Sequence, residues 1–408
     1  MLTGKKLYDF AELVLGVGVN LQKGQGLEIV CPVEKSEVAV AFSEKAYEMG
    51  ARIVNVRWSC EKTDRVNYLY AEEEALTDIP KWFVDSKNYL VKKGFCYVAI
   101  DAEDPSAFKD VPSEKLAAVS KKKSKLLKAF SDEVMSNGIR WCVVSVPTES
   151  WAKKIFPAAA DPVEELSSAI EKTMRLDEKN PLEAWQKHID TLNRRAEFMN
   201  AKNFEYLHYT SANGTDLMLG LAVNHVWVSA QEKAKDGVPF VANMPTEEIF
   251  TAPHKAKING VVKSALPLSY NGQIIENFSF TFKRGKVVDF SAEKGYDVLK
   301  KLLETDSGTL SLGEAALIGK NSPIAKSGIL FLNTLFDENA SCHLALGKGY
   351  PTTVKGGAEM TVKELKKLGV NDSVEHVDFM IGSPDLSVTG IGYDKSETPL
   401  FVDGEWVI

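Results

Sequence analysis

Between residues 27 and 146 the chain carries four short, nearly continuous apolar runs: Leu27–Cys31, Arg52–Trp58, Cys96–Asp101 and Ile139–Val146. Each is separated from the next by sequence with helical spacing. A strand that is apolar along most of its length is buried on both faces, which requires helices on both sides of a parallel sheet. The first half, residues 1–180, is therefore expected to be an open α/β domain. Leu7, Phe10, Leu13, Val14 and Val17 repeat at helical spacing and predict a helix over 5–20 ending near Gly18. Further helices are expected over 35–49, about 64–76 and about 80–92.

Residues 161 to about 203 read as two helices broken at Asn180-Pro181, a helical connection between domains. From Phe204 the texture changes. Two apolar runs flank Asn213-Gly214, a hairpin signal. Asn271-Gly272 and Arg284-Gly285 mark two more turns among the alternating runs 258–266, 273–282 and 286–291. Helices are expected at about 294–304 and 362–368. Residues 204–408 thus read as a mixed, mostly antiparallel α+β domain. Two domains also suit 408 residues.

Several function classes are disfavoured at once. A net charge of -7 lacks the basic field that nucleic acids or anionic membranes require. No apolar segment is long enough to span a bilayer, and the N-terminus lacks a signal-peptide core. The five cysteines are scattered without a Cys-x-x-Cys, which reads as reduced thiols in a cytoplasmic protein. Gly16-Val-Gly18 lacks a third glycine and ends a helix. Gly313 to Lys320 is one residue too long for a phosphate loop, with Asn321 where Ser or Thr is needed. Neither holds a nucleotide.

All six histidines follow residue 180. His188, His208, His225 and His254 read as packed, surface or loop residues. The stretch from Asn339 to Asp378 holds the other two, His343 and His376. His376 and Asp378 are two apart, so in a strand they share one face while Val377 and Phe379 take the other. Imidazole beside carboxylate suits zinc, cobalt or manganese. Glu247 and Glu248 lie in a segment stiffened by Pro245 and Pro253, and only one of two adjacent extended residues can face a given site. Glu314 is either a helix-start acid, three after Ser311, or a ligand. Two acids with His343, His376 and Asp378 make five nitrogen and oxygen donors without a thiolate. That inventory fits a paired-metal hydrolase. Tyr350, after the Gly347-Lys-Gly349 turn, is a candidate hydrogen-bond donor to an oxyanion. Cys342 diverges from His343 in a strand, so the two form no thiol–imidazole dyad.

At these residues the sequence resembles the thermophilic aminopeptidase family, the metal-dependent bacterial aminopeptidases T and S. The matching segments are Asn243–Pro253, Ser311–Ala316, Asp337–Tyr350 and His376–Gly382, together with the Gln22–Pro32 opening. The resemblance implies a homodimer with two divalent metal ions in its C-terminal domain, for which the donor set suits zinc, cobalt or manganese. It implies Glu248, Glu314, His343, His376 and Asp378 as ligands and Tyr350 as a catalytic or metal-proximal residue; from the donor chemistry Glu247, a carboxylate near the metals, is the candidate proton carrier. The expected substrate is a peptide with a free N-terminus. The rival readings are another dinuclear amidase or carboxypeptidase, and a non-catalytic α/β protein that binds a small ligand.

Overall fold

The computed structural model describes residues 3–102, 104–270 and 273–408. The expected Asn271-Gly272 turn lies outside the described residues. The chain divides into two compact units, Met1–Lys187 with Gln231–Pro245, and His188–Ala230 with Thr246–Ile408. The chain passes from the first to the second inside the helix Pro181–Lys202.

In the first unit the four apolar runs form one parallel sheet, ordered Ile53–Ser59, Gly26–Pro32, Cys96–Asp101, Trp141–Ser145. Its central residues Leu27, Ile29, Cys96 and Val98 are fully buried. The helix predicted over 5–20 runs Lys5–Leu13 and continues as a wider turn through Val14–Gly18. Its Phe10 ring meets Phe42 of the helix Ser36–Glu48 edge-on at 5.6 Å. The helix expected over about 64–76 divides into Glu61–Tyr70 and Glu73–Thr77. Residues 231–245, placed with the second half on sequence texture, group with this unit. Val143 donates to the Ala242 carbonyl and Met244 donates to the Val143 carbonyl, so this segment runs alongside the last strand.

Among the described residues the second unit holds two large antiparallel sheets and a two-stranded one, Leu268–Tyr270 with Gln273–Ile275. One has eight strands, including the hairpin Tyr206–Thr210 and Asp216–Leu221 that turns at Asn213-Gly214. Gly214 takes φ +100°, a conformation open to glycine. The other has four strands, ordered His376–Met380, His343–Gly347, Leu312–Leu317, Ile249–Thr251. Leu217, Leu219, Phe280 and Phe282 of the eight-stranded sheet form one core with Ala315, Leu344, Leu346 and Phe379 of the four-stranded one. Phe280 and Phe379 touch edge-on at 5.2 Å. Because strand side chains alternate, filling that core with one set commits the other set to the opposite face. Among the described residues no helix is long and apolar enough to cross a membrane.

Candidate metal centre

The face turned away from the core carries Glu314, His343, His376 and Asp378. Register fixes their arrangement. Glu314 pairs with Ala345, and Ala345 with Asp378, so two carboxylates flank one methyl group. His376 pairs with Gly347, and His343 with Ala316. The small residues between the donors leave that face unfilled by side chains. Gly347 is at φ +102°, and a Cβ there would lie 2.2 Å from the Glu375 carbonyl oxygen, so only glycine fits beside His376. Glu248 immediately precedes Ile249, which pairs with Leu317 at the far end of the Glu314 strand.

Two sets of three donors result, Glu248–Glu314–His343 and Glu314–His376–Asp378, with the donor atoms of each set within 4.8 Å of one another. Glu314 belongs to both. His343 Nε2 lies 3.2 Å from Glu248 Oε2 and 3.5 Å from Glu314 Oε1. His376 Nε2 lies 3.6 Å from Glu314 Oε2 and 3.4 Å from Asp378 Oδ1. The structure therefore brings together all five expected ligands. Glu314 sits inside a strand whose six residues are all buried, which removes the helix-start reading of Ser311 to Glu314.

Three observations fit these residues to divalent cations. Glu248 Oε2 and Asp378 Oδ1 are buried oxygens that accept no hydrogen bond among the described residues. Such atoms are costly to bury unless something positive takes them. Each imidazole also uses Nδ1 on a backbone carbonyl, His376 on Lys348 at 2.7 Å and His343 on Ser341 at 3.3 Å. That leaves both Nε2 atoms aimed at the acids, the outer-layer arrangement of ligating histidines. Finally, the acids crowd one another. Burial, with Glu248 and Asp378 adding to it, pushes Glu314 up to about 7 against the opposing histidines. Burial alone would lower His376, yet Asp378 and Glu314 carry it to about 10. Protons and cations compete for these same atoms.

One residue escaped the sequence reading. Glu338, in the turn Glu338–Ala340, acts on the same cluster: burial and the charges of Asp378 and Glu248 hold its carboxyl well above the usual range. The run Asp337-Glu338-Asn339 carried no periodic signal that could single out its middle acid. With Glu338 the carboxyl groups around the cluster number four. Tyr350 stands where expected, its ring edge-on to His376 at 4.9 Å and to Phe250 at 5.8 Å. Burial, then Glu314 and Asp378, hold its phenol far above its ordinary value, so it remains a donor.

Glu247 differs from expectation. Its Oε2 lies 3.6 Å from His188 Nε2, and its N–H donates to Asn339 Oδ1 at 2.8 Å, so it backs Glu248 one layer behind the donors. His188, read from sequence as packed or exposed, lies beside this layer and also donates to the Thr246 carbonyl at 2.7 Å. The other three histidines lie outside the two donor sets: His208 pairs with Asp216, His225 bonds the Ala222 carbonyl, and His254 Nδ1 accepts from Ala256. The Cys342 thiol is pushed up to about 12 by burial and donates to the Ile318 carbonyl, away from catalysis.

Known proteins are similar to this chain over nearly its full length. The chain is 41% identical over 404 residues to aminopeptidase 2 of Geobacillus stearothermophilus, covering 98% of each chain. It is 43% identical over 407 residues to aminopeptidase PepS of Streptococcus thermophilus, covering 99% of this chain and 98% of that one. The solved structure of wild-type AmpT from Thermus thermophilus superposes with a TM-score of 0.93 at 35% identity, over 99% of both chains. Residues 3–406 match the model of the thermophilic metalloprotease (M29) family, and the chain belongs to that family.

Proposed function

We propose that the chain is a metal-dependent aminopeptidase that removes N-terminal residues from peptides at a centre of two divalent ions. The single observation that carries the two-ion reading is Glu314, one buried carboxylate shared by two donor sets that each contain a histidine. Glu248 and His343 would hold one ion and His376 and Asp378 the other, with Glu314 between them. When bound, such ions supply Lewis acidity to the scissile carbonyl and lower the pKa of the attacking water.

The chain's own residues do the rest. Tyr350, kept as a neutral phenol, donates a hydrogen bond to the carbonyl oxygen as it gains charge. Glu338 faces the same cluster and takes the proton-carrying role first assigned to Glu247, passing a proton from the attacking water to the leaving amine. Glu247 supports Glu248 from behind. Recognition of the substrate's free α-amine at the centre would confine cleavage to chain ends. Five free cysteines, four of them buried, support a reducing, cytoplasmic setting. The homodimer rests on the family resemblance alone.

Chelation tests the reading. Stripping metal with 1,10-phenanthroline should abolish hydrolysis of aminoacyl-p-nitroanilides, and added zinc, cobalt or manganese should restore it. N-acetylated analogues should stay uncut. Full activity in chelator, or equal cleavage of blocked substrates, would overturn the assignment.

A further inference from the structure

Two buried asparagines stand behind the centre, and neither is among its donors. Asn371 is 5% exposed. Its Nδ2 donates to the Gly347 carbonyl at 2.6 Å, the Gly308 carbonyl at 2.8 Å and the Ser311 carbonyl at 3.4 Å. Its own carbonyl accepts from Gly349 at 3.0 Å. One side chain and its peptide thus tie the approach to the Glu314 strand, the exit of the His343 strand and the lead into His376. The bend held in this way is Gly347 to Gly349. Its middle carbonyl, on Lys348, is the one that receives His376 Nδ1. A carbonyl sets the direction of an imidazole only as well as it is itself held.

Asn339 is fully buried and braces the opposite end. Its Oδ1 accepts the Glu247 N–H at 2.8 Å, one peptide before Glu248. Its Nδ2 donates to the Leu335 carbonyl at 3.1 Å and lies 3.5 Å from Glu338 Oε1. These partners have nothing in common with those of Asn371. Perturbations at sites without shared partners add independently. The ligand common to both halves, Glu314, sits in a strand paired on each side and buried throughout, so it resists loosening from either end.

We infer that the two halves of the centre are braced separately, with Asn371 positioning the His376–Asp378 half through the Lys348 carbonyl and Asn339 positioning the Glu248 half through the peptide before it. The inference rests on the two-ion reading. Both asparagines are positioning residues, since each acts through a neighbour. A side-chain amide suits the task because its donor and acceptor ends are fixed to one rigid plane.

The test is titration of metal-stripped protein with cobalt(II) chloride, followed by visible d–d absorption and bound-cobalt analysis. Crystals soaked at limiting cobalt then locate each ion by anomalous scattering. Wild type should take two ions. Asn371→Ala should weaken the ion on His376 and Asp378 by about 10–100-fold and leave the other unchanged. Asn339→Ala should do the reverse. Circular dichroism and metal-free melting confirm that each variant is folded, and Asn371→Ser and Asn339→Ser take over if the alanine forms are not. Equal weakening of both ions, or of neither, overturns separate bracing. A wild type that takes one ion sinks the two-ion reading instead.

Discussion

Each unit buries a cluster of charged side chains, and the two clusters are built to opposite ends. In the first unit Glu28, Arg57 and Lys87 lie over one face of the parallel sheet. Arg57 Nε meets Glu28 Oε1 at 2.9 Å and its Nη2 donates to Ser86 at 3.1 Å. The Lys87 amine sits 4.7 Å from the centre of the Tyr97 ring and 5.3 Å from that of Phe130. Every charge there finds an answering group within the chain. In the second unit the carboxyls of Glu248, Glu314, Glu338 and Asp378 face two imidazoles, and among the described residues two of their buried oxygens accept no hydrogen bond. A buried charge that is matched internally is part of the architecture; a buried excess of one sign needs a ligand of the other. The contrast separates a structural cluster from a reactive one without appeal to family.

The largest effect should come from removing the shared ligand. Glu314→Gln keeps the shape of the side chain but deletes the charge common to both donor sets. Turnover should fall at least about a thousandfold, the upper range for losing a principal electrostatic contributor, and bound metal should fall with it. The matching change in the first unit, Glu28→Gln, should leave metal content and kcat within about twofold. Its cost should appear as about 1–3 kcal/mol of stability, because Arg57 then loses its partner but keeps some water. Metal analysis and chemical denaturation of both variants read this directly. If Glu28→Gln sheds metal, or Glu314→Gln retains it, the distinction between the clusters fails.

Tyr350→Phe comes next in size. It removes one hydroxyl and keeps the ring that packs on His376 and Phe250. With the ligands untouched, metal content should hold while kcat drops about a hundredfold and KM changes little. A drop of less than tenfold would remove the oxyanion role.

How much of this could be read from sequence depended on periodicity. The apolar runs of the first half pointed to a parallel sheet through two-sided burial, which holds for the central strand Gly26–Pro32 but not for the edge strand Ile53–Ser59, none of whose residues is buried. Val377 and Phe379 bracketing Asp378 gave the correct facing of the His376 strand. Glu338 stayed hidden because it lies in a single turn, where side-chain direction follows no repeat. Glu247 and Glu248 could not be ranked by pattern alone; the choice came from resemblance, and the Asn339 contact now gives it a physical cause. The placement of residues 231–245 was missed because their attachment to the Trp141–Ser145 strand is made by backbone hydrogen bonds, which leave no trace in composition.

The smallest expected effect concerns Lys87 and probes the structural cluster alone. Burial, with the Arg57 charge adding to it, lowers the Lys87 amine from its ordinary range to about 8, and Glu28 opposes this only partly. Between about pH 8 and 10.5 the unfolded chain holds this proton while the folded chain releases it. Stability should therefore rise with pH across that window, since the folded state carries the penalty of the buried charge in full below pH 8. The two aromatic rings offset part of the penalty, leaving a rise of about 1–3 kcal/mol across the window. Lys87→Met keeps the length of the side chain and removes the charge. It should stabilise the protein by about 1 kcal/mol at pH 7 and flatten the rise between pH 8 and 10.5, with metal content and kcat unchanged. Urea melts at pH 7, 8.5 and 10 measure both terms. A variant less stable than wild type at pH 7 would mean that the rings hold the ammonium more tightly than its burial disfavours it. The first cluster would then owe its stability to cation–π attraction rather than tolerate a buried charge.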